Sequence, residues 1–358
     1  MALRLKDLLT IPLGESLTAV PLSEDNKGWL DFLALDDDAD ICHHPAWGRV
    51  FLETFGLESI LMVHRTNGVI DGGAPFVIFD QPLTGKALVS MPFLNYGGLL
   101  GRSDEIKQEI VEGCRRIVRG AGADYLELRH VGRGIGPQAD QTREDRITYR
   151  LDIGRPADDI FASFRKQLRT RLRKTAEQGL TSYQGRDRLD HFYPLFARAM
   201  KEHGTPVMPR RFFASVLNHL GEQAAMMIAY KDDRPLGGKL FFTFKDRVTM
   251  AWGCYPDRDK HLLANYHLTW EMIRRLAPGP IRTIDFGRSS RSSGGHDYKA
   301  NWGPQEIPIF TDYLAGDPKK IPNLKPDNAK FRLAIAVWKR LPLPITTLIG
   351  PRLARYFI

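Results

Sequence analysis

Three cysteines in 358 residues, Cys42, Cys114 and Cys254, are too few and too scattered for a disulfide framework. Without a CxxC pair they also exclude a thiolate zinc ribbon. Long apolar runs are missing as well. No stretch reaches the roughly 18 apolar residues of a membrane-spanning helix, and the opening MALRLKDLLTIPLGESL lacks the continuous apolar core of a secretion signal. These absences set the expectation of a cytoplasmic chain. There is no Walker A loop and no G-x-S-x-G elbow, which sets aside P-loop phosphate binding and the serine-hydrolase turn. GRGIG at 132–136 lacks the third glycine of a dinucleotide fingerprint, and no helix pattern follows it. His43 and His44 have no third ligand at metal-binding spacing, and Asp36, Asp37 and Asp38 read as a solvated turn. Acid is the scarcer charge: 42 Asp and Glu against 51 Lys and Arg, a formal charge of +9. That balance favours anionic partners, whether nucleic acid, nucleotide-linked substrates, coenzyme A or acidic lipid.

What remains is a globular composition, 43% hydrophobic and 26% charged, long enough for two cores. HHPAWGRVFLETFG, from His43, has apolar residues at helical spacing. Two strand-like runs flank Asn67-Gly68, a strong hairpin signal. A third strand (86–91), a helix from about Asp104 to Arg119 and a strand at 125–130 follow. The same order returns later. Strands at 225–230, 236–244 and 247–253 lead to a helix at 261–276 and a strand at 281–286. A shared order of strand, strand, strand, helix, strand indicates an internal duplication. The fold class expected is α+β, with a first domain over residues 1–152 and a second over 153–319. The C-terminal segment 320–358, basic and amphipathic, is expected to pack back on the first domain, with contact at a membrane surface as the other reading.

Two stretches point to chemistry. From Asp158 or Asp159, a long helix is predicted with Ile160, Phe164, Leu168, Leu172 and Ala176 stepping by four and Gly179 as its stop. Its other face carries Arg165, Lys166, Arg169, Arg171, Arg173 and Lys174 without acidic partners one turn away, a face suited to phosphate or RNA. The second stretch is IRTIDFGRSSRSSGGHDYKANW, from Ile281 to Trp302. A short strand bearing Asp285 ends on Gly287. A loop with Arg288, Ser289, Gly294 and Gly295 then closes on Tyr298-Lys299 and Trp302. Glycines let backbone N–H groups approach a ligand closely, arginine offers a planar fork for phosphate or carboxylate, and lysine a mobile point charge.

The repeated order is similar to the core of the acyltransferase fold of GNAT enzymes, so two tandem GNAT-like domains are expected, each a largely antiparallel mixed sheet flanked by helices. HHPAW, SMPFLNYGGLL, HGTPVMPRRFF, AWGCYPDRDKHLLANYHLTWEMIRRL, DFGRSSRSSGGHDYKANWG and WKRLPLPITTLIGPRLAR resemble the FemAB family of aminoacyl- and acyltransferases, and within it the proteins associated with PEP-CTERM/exosortase exopolysaccharide loci. The resemblance implies transfer of an activated acyl or aminoacyl group onto an amine or hydroxyl of a cell-wall or exopolysaccharide precursor. It implies no tightly bound cofactor, with aminoacyl-tRNA or acyl-CoA as donor. It places the lysine of the family's Phe-Lys pair at Lys299, with Tyr298 in place of the usual phenylalanine. The substrate it implies is anionic, a lipid- or nucleotide-linked sugar, with tRNA as a partner and the inner face of the membrane as a place of work. A cation aimed at the carbonyl oxygen suits Lys299. Asp285, Asp297 and Tyr255 are the local candidates to accept the amine proton. The loop CYPDRDKHLLAN has none of the glycines with which GNAT enzymes hold coenzyme A pyrophosphate at a helix N-terminus. In the first half NYGGLLGRS is glycine-rich, with Asn95, Tyr96 and Gly97 as ligand-holding candidates. A non-catalytic module binding RNA or an anionic glycan through the basic helix is the remaining alternative.

Overall fold

A computed structural model describes residues 3–23, 26–81, 85–291, 294–321 and 329–356. The chain forms two compact units. The first comprises Met1–Ile147 with Ile307–Asn323, and the second Thr148–Glu306 with Leu324–Phe357.

The first unit contains α1 (Leu5–Leu8), β1 (Leu17–Pro21), α2 (Lys27–Leu35), α3 (Ala46–Phe55), β2 (Ser59–Thr66), β3 (Val69–Gln81), β4 (Gly85–Val89), β5 (Leu100–Gly101), α4 (Asp104–Ala121), β6 (Tyr125–Val131) and the start of β7 (Gln141–Asp152). β2 and β3 form the expected antiparallel hairpin, with both turn residues at positive φ, Asn67 at 51° and Gly68 at 80°. That is the turn twist a two-residue hairpin requires. α4 starts on Ser103, whose hydroxyl accepts from the Ile106 N–H at 3.3 Å, and carries the chain over to β6, which pairs parallel with β4. Ile110, Cys114 and Ile117 of α4 pack with Ile60, Met62, Phe76, Leu88, Leu126 and Leu128 as one core.

The second unit takes over β7 from Thr148 onward. It continues through α5 (Ala157–Ser163), α6 (Lys166–Glu177), β8 (Thr181–Gly185), α7 (Leu189–His203), α8 (Arg210–His219), β9 (Ala224–Lys231), β10 (Arg234–Phe244), β11 (Arg247–Cys254), α9 (Ala264–Leu276), β12 (Thr283–Asp285), β13 (Ser289–Ser290) and α10 (Gly294–Ala300). Its sheet runs β7-β12-β11-β10-β9-β8. Successive strand residues point to opposite faces, and β10 shows the consequence. Gly238 faces Phe192 of α7, while Lys239 faces Thr269 of α9. The α7 face is aromatic: Phe213 meets Phe192, Phe196, Phe212 and Trp252 with ring centroids 4.9–5.6 Å apart. Truncating such a ring costs about 3–5 kcal/mol.

Three expectations need correction. The long helix predicted from Asp158 is two helices, because Phe164 and Arg165 are extended, with ψ of 148° and 147°. The Ser163 hydroxyl donates back to the Ile160 carbonyl, and Phe164 turns its ring onto Trp302 at 5.5 Å; Ala176 is exposed. Second, β14 (Gln305–Ala315) pairs antiparallel with β6 from Ile309 to Ala315 and clusters with the first unit. Alternation in a sequence marks a strand but not its partner. Third, α11 (Ala329–Arg340) and α12 (Leu343–Ala354) cluster with the second unit, not the first. A Cβ added at Gly204, just past α7, would meet Ile335 of α11, and one added at Gly350 of α12 would meet Val207, so both helices pack closely there.

Candidate functional site

β11 and β12 are paired over three positions only, Arg247–Thr283, Val248–Ile284 and Thr249–Asp285. β11 then runs on to Cys254, and its register against β10 slips between Leu240 and Phe241, with Ala251 left over as a bulge. A bulge bends its strand and raises the local twist, so the two parallel strands part beyond Thr249 and Asp285. Tyr255 follows directly. Its ring lies against Gly237 and Gly253: a Cβ added there would stand 2.5 and 3.2 Å from the ring, so glycine is required at the first and favoured at the second. The Tyr255 hydroxyl is shielded from solvent and has no hydrogen-bond partner among the described residues. Burial pushes its pKa up, with the Tyr298 hydroxyl adding to the effect. A buried hydroxyl without a partner is uncommon.

On the other side of the opening, β12 ends in a tight turn. Asp285 is fully buried and its carboxylate accepts from the Thr148 hydroxyl at 2.7 Å, the Gly287 N–H at 2.8 Å and Arg150 Nε at 3.1 Å. Gly287 has φ 70°, a region open to glycine at little cost. The turn leaves the carbonyls of Gly287 and Arg288 accessible to Lys299 of α10, whose Nζ donates to them at 2.7 and 3.1 Å. Burial draws the Lys299 ammonium down from 10.5 to about 8; Asp285 opposes the shift and Arg288 adds to it. Lys299 is thus a cation near neutral pH, held by two carbonyl oxygens, with its third N–H without a partner among the described residues.

A second lysine lies on β10. Lys239 is 3% exposed. Its Nζ contacts the Thr269 hydroxyl on α9 and the Met250 sulfur at 3.6 Å. Desolvation moves its pKa from 10.5 to about 7, and the charge of Lys299 pushes the same way. The Thr269 hydroxyl is in turn 2.6 Å from the Tyr298 hydroxyl, which also donates to the Asn265 carbonyl at 3.0 Å. A chain of polar groups therefore links Lys239, Thr269 and Tyr298, with Lys299 the next residue along α10. Burial raises the pKa of Tyr298, so it remains a protonated donor.

The second unit brings Tyr255, Asp285, Arg288, Ser289, Gly294, Gly295, Tyr298, Lys299 and Trp302 together on the turn, on α10 and on the elements beside them. Ser289 is buried on β13, a strand that pairs with β7. Gly294 and Gly295 open α10. Trp302 is buried and stacks on Tyr266 at 5.9 Å, with Phe164 and Phe286 around it; it is the anchor of the segment. Ser292 and Ser293 lie outside the described residues. Asp297 is exposed, beside His296. Asn95, Tyr96 and Gly97 belong to the first unit, where Tyr96 is buried and backbone N–H groups of Asn95 and Tyr96 are directed at the Cys42 sulfur. His43 is also structural, closing a capping box with Asp40 and bonding the Gly98 carbonyl through Nε2 at 3.0 Å. Among the described residues no group of three or more His, Cys, Asp and Glu side chains is placed to hold a metal ion.

The sequence reading missed Lys239 and Thr269. The signal for the lysine was present: in LGGKLFFTF one cation interrupts an apolar strand, and alternation puts it on the face opposite Gly238. Thr269 reads as an ordinary helical residue and offers no such cue.

Residues 162–300 match the acetyltransferase (GNAT) domain. No curated protein matches the chain. Among solved structures, FemX is similar with a TM-score of 0.65 at 14% identity, over 81% of this chain and 96% of FemX. A tandem GNAT protein from the clavulanic acid biosynthesis pathway gives 0.51 at 15%, over 84% and 99%. L-PGS from Bacillus licheniformis gives 0.52 at 11%, over 92% and 97%. The sequence match lies on the unit that holds the two lysines, and the likeness in fold extends along most of the chain. The second unit thus carries the match to a GNAT-type acyltransferase domain, and the chain shares the fold of tandem GNAT-like proteins.

Proposed function

We propose that this chain transfers an activated acyl or aminoacyl group from an ester-linked donor onto an amine of a cell-wall or exopolysaccharide precursor. One observation carries the reading: two buried lysines lie near each other in the second unit, Lys299 seated on the Gly287 and Arg288 carbonyls and Lys239 against the Thr269 hydroxyl, and burial draws both below the ordinary lysine value. Aminolysis of an ester or thioester needs a cation and a base. Negative charge grows on the carbonyl oxygen, and a fixed cation there lowers the barrier by on the order of 3–4 kcal/mol; Lys299 has that charge and an N–H without a partner among the described residues. The attacking amine must shed a proton, and a lysine neutral near pH 7 accepts one; Lys239 is placed to do so along Thr269 and Tyr298. Asp285 is committed to three donors, so we assign it the role of holding the turn on which Lys299 rests.

The donor side supports aminoacyl-tRNA over coenzyme A. The loop before α9 presents no glycine, and its Arg258 is paired with Asp259, which also takes two 3.0 Å bonds from Arg234 of β10, while Lys260 pairs with Asp257. By contrast Arg165, Lys166, Arg169, Arg173 and Lys174 have no carboxylate partner among the described residues, and Arg171 lies over Tyr266 of α9. A polyanionic donor fits such a face. The test offers the purified enzyme charged tRNA or acetyl-CoA together with an amino-bearing precursor. Transfer from tRNA that drops on charge reversal at Arg169 and Arg173, with binding weakening in salt, is the expected result. Turnover with acetyl-CoA that ignores those substitutions would overturn the choice of donor.

A further inference from the structure

α11 and α12 have their inner faces occupied. Gly350 and Ile335 pack against Val207 and Gly204, Thr346 and Ala354 are buried, and Lys201 Nζ donates to the Lys339 carbonyl at 2.9 Å. The outer faces are apolar nonetheless. Leu333 and Leu348 are 69% and 68% exposed, and Val337, Ile345 and Ile349 are exposed beside them. Among the described residues these make five of the nine exposed large apolar side chains. Single exposed leucines need no explanation, but a clustered set does. Leu333 and Val337 are one turn apart, and Arg340, seven residues on from Leu333, falls on the same stripe. Ile345, Ile349 and Arg352 repeat that spacing on α12. From Ala329 to Ile358 there are six lysines and arginines and no acidic residue. Among the described residues Lys339, Arg340 and Arg352 have no carboxylate partner, and all three are exposed.

We infer that this outer face docks on a membrane surface rich in anionic lipid, with the apolar stripes entering the acyl boundary and the arginines at headgroup level. Charge complementarity selects this occupant: a purely basic rim around an apolar stripe suits a surface that is negative outside and apolar beneath. The helices lie on such a surface and do not cross it. No helix among the described residues is long and apolar enough to span a bilayer. The inference is independent of the transfer reaction, and its test uses no turnover.

The full chain is sedimented with phosphatidylcholine vesicles and with vesicles in which part of that lipid is replaced by phosphatidylglycerol. Pelleting with the anionic vesicles alone is expected. At about fivefold per cation, Arg340→Glu with Arg352→Glu should lower partitioning by at least about 25-fold. Leu333→Glu with Leu348→Glu should remove it, while the melting curves of all variants match the parent because these side chains make no inner contacts. Equal pelleting with both vesicle types, or with neither, overturns the inference. So does RNA that binds the same face and displaces the vesicles. A dimer that Leu348→Glu dissolves, in a chain that ignores vesicles, overturns it in favour of a second copy.

Discussion

The two units repeat one topology, β2-β3-β4-α4-β6 in the first and β9-β10-β11-α9-β12 in the second, each ending in a parallel pair beside a helix. They differ in what happens where that parallel pair stops. In the first unit the end is closed: the Ser90 N–H donates to the Glu127 carbonyl at 2.9 Å, and the Arg129 N–H donates to the Ser90 hydroxyl at 3.0 Å. Glu127 and Arg129 pair at 2.6 Å, and all three residues are buried. In the second unit the ladder stops at Asp285. The Gly287 and Arg288 carbonyls, two and three residues on, are taken by a lysine side chain, and Tyr255 has a buried hydroxyl without a partner among the described residues. The strand before the opening differs too, since β3 buries apolar residues from Ala74 to Phe79 where β10 buries Lys239. At this position one copy ties its strand ends together with Ser90, and the other seats a lysine on its turn. A shared topology does not by itself assign function, so the proposed chemistry is placed on that difference.

The largest expected effect comes from removing the cation that closes the second opening. Lys299→Ala should lower kcat by about 10²–10³-fold while the melting temperature at pH 7 does not fall, because holding the buried ammonium charged is itself a cost to the fold. Single-turnover assays with matched circular dichroism measure both. A kcat within about tenfold of the parent would take the lysine out of the mechanism and return the second unit to the status of the first.

Lys239 tests the comparison from the strand side, through pH. In the unfolded chain this amine titrates at 10.5 and in the folded one at about 7, so between those values the unfolded state binds the extra proton. Stability must then rise with pH across that window, and below about pH 7 the full cost of burial applies, on the order of 5 kcal/mol. Lys299 adds a slope of the same sign from about 8 upward. Lys239→Met should therefore stabilise the protein at pH 7 and flatten the rise below pH 8. It should also cost activity and abolish the acid limb of the kcat/KM profile, near pH 7, while the alkaline limb near pH 8 stays with Lys299. Parallel melting curves for parent and variant from pH 7 to 9 would refute a buried, neutral lysine.

Much of this was legible in the sequence, for a physical reason. The Asn67-Gly68 turn, the repeated strand–helix order and the DFG turn are local patterns, each set by a few neighbouring residues. Lys299 is singled out by the resemblance, which puts the lysine of the family's Phe-Lys pair there. The hidden parts depend on distant residues. That β14 pairs with β6, or that α11 and α12 pack beside α7, follows from which apolar faces remain uncovered after folding. The bond between Lys239 and Thr269 joins residues thirty positions apart, and no local spacing announces it. The break at Phe164 shows the converse case, where helical periodicity runs through a position that the tertiary fold uses to seat a ring against Trp302.

The smallest effects separate turn-holding from closure. Asp285→Asn leaves the Thr148, Arg150 and Gly287 donors facing a neutral amide, which should cost about 2–3 kcal/mol. It should also lower kcat, because the carbonyls that seat Lys299 shift with the turn. Ser90→Ala removes the corresponding staple from the first unit and should cost only about 1 kcal/mol, with kcat and KM unchanged. Denaturant melts paired with steady-state assays resolve the two. Loss of activity in Ser90→Ala at full stability would mean that the first opening also takes part in the chemistry, and the division between a closed copy and an open one would fail.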